Sequence, residues 1–212
     1  MQISKVLDTI TEIYHDPDYD RVPLTTYLRY VSDALNQILL VRPDANAVNE
    51  YIDLVEGNEQ SLPNDGFRLI DVICNLDGDD KPTTAILKVE KKDLDNLAPN
   101  WMMDEGPDVY NYAYDVRIPK KFYVYPQVPL PHRVKVVYSK AFPVLVDSSM
   151  EIDLDEIFFM PLVDIVLSVL YRLDSEGSEA ATQKTQFHSQ LAAQALGIEQ
   201  QKGIDISPEE GE

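Results

Sequence analysis

The chain has 212 residues, 44% of them apolar, and carries 37 acidic against 18 basic side chains for a formal net charge of -19. That length suits one domain or two small ones with a real core. That charge repels nucleic-acid phosphates and, with no local basic patch in the sequence, argues against direct DNA or RNA readout.

Residues 3–14 carry Ile3, Val6, Leu7, Ile10 and Ile13 at helical spacing and predict an amphipathic helix. Pro17 and the turn formers of HDPDYD end it, and Pro23 opens a second helix lined by Leu28, Val31, Leu35, Ile38 and Leu39, closed by Pro43. The two are expected to form an antiparallel hairpin. After Ala45 the period shortens to that of strands. Tyr51–Val55, Phe67–Cys74, Thr84–Val89, Lys121–Tyr125 and Arg133–Ser139 read as strands, separated by turns at Glu56-Gly57-Asn58, Asn64-Asp65-Gly66 and Asp77-Gly78. Lys121–Tyr125 and Arg133–Ser139 read as antiparallel strands, with Pro126 and Pro129 in their link marking an exposed sheet edge. The turn-rich run from Lys91 to Asp108 reads as a loop with one helical turn, plugged by Trp101.

The stretch DLDEIFFMPLVDIVLSVLYRL, Asp153 to Leu173, organises the rest. Leu162, Ile165, Val166, Val169, Leu170 and Leu173 form one helical stripe, and Leu167 and Tyr171 fall outside it. A helix apolar on nearly two sides is buried on both. One side is expected to meet its own domain and the other a neighbouring subunit, with Leu167, Tyr171 and Arg172 at that interface. Asp153 or Asp155 is the candidate N-cap, and Pro161 either kinks the helix or begins its regular part. A last helix follows, capped by Ser178, faced by Ala180, Lys184, Phe187, Leu191 and Ala195, and stopped at Gly197-Ile198.

The expected fold class is α+β. N- and C-terminal helix pairs (1–46 and 153–199) form a four-helix bundle, an antiparallel β domain (47–152) is inserted, and 200–212 is a tail. The start MQISKVLDTI lacks a signal-peptide pattern, and the one cysteine, Cys74, rules out an intrachain disulfide. The apolar stretch at Leu162–Leu173 is too broken by Pro161, Asp164 and Arg172 to span a membrane.

Catalytic chemistry finds little purchase. His15, His132 and His188 sit in separate elements with no metal-type partner at i+3 or i+4. Asp16, Asp18 and Asp20 have calcium-loop spacing, but Arg21 and Tyr27 stand where glycine and glutamate are required. Asn75, Asp77 and Asp79 fail likewise at Asp80 and Ile86. No glycine-rich phosphate loop exists. Lys91-Lys92 and Lys120-Lys121, the largest basic groupings, read as solvated turns. No catalytic residue, metal or cofactor is assigned.

Several segments, in order, resemble a known family: DALNQILLVRPDA, VEGNEQSLPNDGFRLIDVICN, Leu94 to Trp101, Tyr114-Asp115 leading to IPKKFYVYPQVP, VKVVYSKAFP, VLYRLDSE and the Phe187 helix. The chain is similar in these to the head-to-tail connector adaptors of tailed bacteriophages, of the small helical-bundle type. The resemblance implies a virion protein, assembled as a dodecameric ring beneath the portal, that extends the DNA channel and offers a platform to a downstream tail or nozzle protein. DNA would pass without sequence-specific binding, past an acidic wall. The resemblance also implies a portal-binding tail, here Gln201, Lys202, Ile204, Asp205 and Ile206, with assembly beginning in the host cytoplasm. The alternative is a tail-associated carbohydrate-binding or hydrolase module on the β region, which would show a deep pocket with converging carboxylates.

Overall fold

A computed structural model describes residues 1–174 and 178–198. Among them are five helices and eight strands. The chain divides into two compact units: Met1–Val41 together with the chain from Val144 onward, and Arg42–Pro143. The sequence puts these divisions at 46/47 and 152/153. Hydrogen bonds explain the difference. The Met1 amino group donates to the Ile152 carbonyl (2.8 Å), Ile152 N–H to Met1, and Ile3 N–H to Met150, so the stretch before Asp153 belongs with the helices. At the other boundary, Asn46 Nδ2 donates to the Lys140 carbonyl (2.8 Å) and draws the 3-10 turn Pro43–Asn46 into the β unit.

The helical unit contains α1 (Ile3–Tyr14), α2 (Leu24–Val41), α4 (Phe159–Leu173) and α5 (Glu179–Ala195). Helix α4 is central, and α1, α2 and α5 each pack on it. The expected α1–α2 hairpin is therefore not a close pair of its own; both helices turn their apolar faces to α4. Helix α1 ends at His15 in the left-handed conformation (φ 59°), and Asp16 then organises the turn. Its carboxylate accepts from the Arg21 and Val22 N–H groups (3.0 Å each) and from the Tyr27 hydroxyl (3.1 Å). That use, in a residue 3% exposed, accounts for the first acid of the failed calcium spacing. Asp155 caps the 3-10 turn Glu156–Phe158, accepting from Ile157 N–H (2.9 Å). Pro161 then falls in the first turn of α4, where no intrahelical donor is required, so it does not kink the helix. Ser178 caps α5, and Gly197 (φ 73°) ends it while Ile198 N–H returns to the Ala193 carbonyl (2.9 Å).

The β unit holds β1 (Ala47–Asp53), β2 (Glu59–Ser61), β3 (Gly66–Leu76), β4 (Pro82–Ala85), β5 (Leu87–Val89), β6 (Asn111–Tyr114), β7 (Lys121–Tyr125), β8 (Arg133–Lys140) and the short α3 (Lys91–Leu97). One sheet runs β1-β8-β3-β4, all antiparallel; the other runs β2-β7-β6-β5, with β5 and β6 parallel. Strands β7 and β8 thus lie in different sheets, each centrally placed, which corrects their reading as neighbours at an edge. The prolines follow β7 in the link and leave both ladders intact. The single strand expected at Thr84–Val89 is two. Buried Ile86 bonds to the Ile73 carbonyl and Leu87 N–H to that of Tyr110, so the chain steps there from one sheet to the other.

Val72, Val134 and Val136 of one sheet and Tyr112, Phe122 and Val124 of the other fill a shared core. Trp101 plugs a second cluster with Leu94 and Ala113, and its Nε1–H donates to Asp95 (2.9 Å). Asn75, fully buried, joins several segments at once. Its Nδ2 donates to the carbonyls of Thr84 (3.2 Å) and Val109 (2.7 Å), its Oδ1 accepts from Val109 N–H (3.0 Å), and His132 Nε2 lies 2.8 Å away.

Asn75→Ala strands buried polar groups on two neighbouring segments and is expected to destabilise the protein by roughly 2–4 kcal/mol; urea unfolding with an unchanged midpoint would contradict the bridging role. Asp16 supplies a pH dependence. Burial alone would raise its pKa, but the N–H groups of Arg21 and Val22 and the Tyr27 hydroxyl outweigh burial and hold it below the usual value. Its stabilisation is therefore complete above about pH 4, the ordinary aspartate value, and is lost as pH falls through the depressed native one. Asp16→Asn should flatten the acid limb of stability against pH, measured by urea midpoints from pH 2 to 6.

Candidate assembly surface

The expected interface residues are found on α4, but not on a free surface. Leu167 is fully buried and Tyr171 is 7% exposed within the chain's own helical unit. The Tyr171 hydroxyl donates to the Ile13 carbonyl (3.2 Å), and its ring meets Tyr14 edge-on at 5.4 Å. It also stacks on His188 at 5.6 Å, with Lys184 Nζ 4.7 Å from its centroid. One side chain thus touches α1 and α5. In this arrangement neither Leu167 nor Tyr171 offers a face to a second subunit. Arg172 is exposed, in the last turn of α4 at the negative end of the helix dipole. Gln201, Lys202, Ile204, Asp205 and Ile206 lie outside the described residues.

Beside Tyr171 is a pair the sequence reading passed over. His188 Nδ1 lies 2.7 Å from Asp164 Oδ1, with the side chains 13% and 7% exposed. A carboxyl group in so apolar a helix needs a polar partner, and α5 brings it one. The charged residue interrupting the apolar run at 164 was the available signal.

The pair also fixes how α5 is rotated. Its packed face runs through Ala181, Thr185, His188, Ala192 and Leu196. The face expected to pack, Ala180, Lys184, Phe187, Leu191 and Ala195, is exposed instead. Counting large apolar residues picked the wrong side, because small alanines let α5 approach α4 and the Asp164–His188 contact sets the register. The outcome is an uncovered stripe, with Phe187 56%, Leu191 37% and Ile198 43% exposed. At the opposite end of α4, Asp174 accepts from the Tyr14 hydroxyl and from Arg21 Nη2 (2.8 Å each), and the Arg21 guanidinium lies 4.5 Å from the Tyr14 ring centroid. Burial, then the bond to Asp174, pushes the Tyr14 phenol up to about 12.

In the β unit, an open cleft of about 720 Å³ lies between loops, lined in part by Glu56, Glu105, Gln127 and Leu130. Neither histidine nor cysteine contributes to it. Among the described residues, no group of three or more His, Cys, Asp or Glu side chains could hold a metal, and no helix is long and apolar enough to cross a membrane.

His188→Ala should loosen α5 and destabilise the protein by about 2–3 kcal/mol, because Asp164 then loses a buried partner. Phe187→Ser, on the uncovered stripe, should stay within about 0.5 kcal/mol of the parent. Equal losses for both, in thermal unfolding, would contradict the assignment of packed and open faces.

No curated protein matches the chain significantly. The family model for SU10 adaptor proteins, however, matches residues 1–208, which takes in both units. The chain therefore belongs to the SU10 adaptor protein family, a family of phage head-to-tail adaptors.

Proposed function

We propose that the protein is the structural subunit of an adaptor ring that docks beneath the portal, extends the DNA channel and carries the next tail component. Family membership across residues 1–208 carries this reading. The ring is dodecameric and completes itself only on the portal, after the subunits have waited in the host cytoplasm. Contacts between subunits fall on the open stripe of α5, Phe187 and Leu191, and on Arg172. Leu167 and Tyr171 serve that contact from beneath, by holding α5 in place.

The segment from Gln200 onward reaches the portal, with Ile204 and Ile206 as apolar anchors and Gln201, Lys202 and Asp205 as their polar surround. A polar segment with two apolar anchors can order itself on a partner surface. Acidity suits the channel. Many copies of a chain with net charge -19 repel passing DNA and lower its adhesion to the wall. No catalytic step is assigned; the cleft beside Glu56 and Glu105 is open to solvent and is lined by neither histidine nor cysteine.

The purified chain should be monomeric or weakly associated and form rings when portal is added, as seen by native mass spectrometry and negative-stain images. Removing everything after Lys202 should abolish portal association in a pull-down. Undiminished capture of portal by the shortened chain would overturn the tail's role.

A further inference from the structure

A groove of about 160 Å³ lies in the helical unit where α2, α4 and α5 come together. Its apolar walls include Val41, Ile165, Leu196 and Ile198; Gln37 and Ser189 supply polar groups, and no charged side chain lines it. An apolar cavity of about 150 Å³ takes a group the size of benzene, so this one is sized for a branched aliphatic side chain. Ile198 is both part of the wall and the last described residue, so the chain leaves from the groove itself.

The sequence that follows is EQQKGIDISPEEGE, and Ile204 and Ile206 are its only large apolar residues. We infer that this segment docks back into the groove of its own chain, seating Ile204 or Ile206 against Val41, Ile165 and Leu196. The reach suffices: the six residues from Ile198 to Ile204 span about 20 Å when extended, and the groove begins at Ile198. Gly203 gives a position without Cβ at which the chain can reverse. In an extended Ile-Asp-Ile the two isoleucines share a side and Asp205 faces the other way. The apolar pair then meets the uncharged groove while the carboxylate stays in water. The short tether gives the segment a local concentration on the order of millimolar, which favours it over a second copy's tail at ordinary protein concentrations. Docking is a property of the isolated chain, whatever partner the segment later meets. While docked, the seated isoleucine is withheld from any other surface.

The test uses the full chain without portal. Ser207→Cys carries a nitroxide, Cys74 being buried, and methyl resonances of Val41, Ile165 and Leu196 are followed. At least half of their intensity should be lost, equally after tenfold dilution. It should return when Ile204→Asp and Ile206→Asp are added, and when Ser189→Trp fills the groove. Absence of broadening would overturn the proposal. So would broadening indifferent to the isoleucine changes, which reports the tether alone, or broadening that fades on dilution, which reports a second copy's tail. Because portal is absent, failure here leaves portal binding by the same segment standing.

Discussion

Asp164 stands in the middle of α4, a helix buried along nearly its whole length, and a carboxyl group in that setting must be given a hydrogen-bonding partner. His188 is brought to it by α5, and much else in the helical unit follows from this contact. It fixes the rotation of α5 and stacks the imidazole on Tyr171. It therefore also decides which apolar residues of α5 are used up in folding and which stay available. Hydrophobic burial alone would not choose this arrangement. Turning α5 to bury Phe187 and Leu191 would cover more apolar surface but would carry His188 away from Asp164.

The same contact explains where sequence reading worked and where it did not. Helices α1, α2 and α4 were legible because one or more faces repeat large apolar residues at the helical period. Strands β7 and β8 were legible from alternation, and the ends of α5 from Ser178 and Gly197. The face of α5 was not legible, since alanines and one histidine form it and carry little hydrophobic signal. Strand β6 was hidden for a related reason: Tyr112 and Ala113 are both buried, one in the main core and one beside Trp101, so alternation is lost. Strand β2 is three residues long. The buried Gln60 amide braces the preceding turn through Val55 and Gly57, and so short a strand carries no alternation of its own. Which sheet each strand joins depends on partners far along the chain, and local pattern carries no record of that.

Helix α4 was legible in the sequence, and the exposure of Phe187 and Leu191 on α5 was not. Leu167 and Tyr171 looked surplus to one core contact because α4 has three helices packed on it. Their surplus is consumed inside the chain. Apolar residues stay exposed on α5, the least apolar of the four helices in that unit. This division suits an adaptor: the most hydrophobic element stays internal, while a thin stripe of apolar residues remains on an otherwise polar helix. A narrow stripe limits indiscriminate association in a chain whose net charge already keeps copies apart.

The inserted arrangement of the two units has a consequence for synthesis. The β unit is continuous in sequence and can fold once Pro143 has left the ribosome. Helices α1 and α2 are made first, yet α4, the element they pack on, begins only at Phe159. At translation speeds of roughly 5–20 residues per second, their apolar faces stay uncovered for on the order of ten seconds while the β unit emerges. During that interval, the apolar faces of the nascent amino-terminal helices lack the helix that covers them in the folded chain.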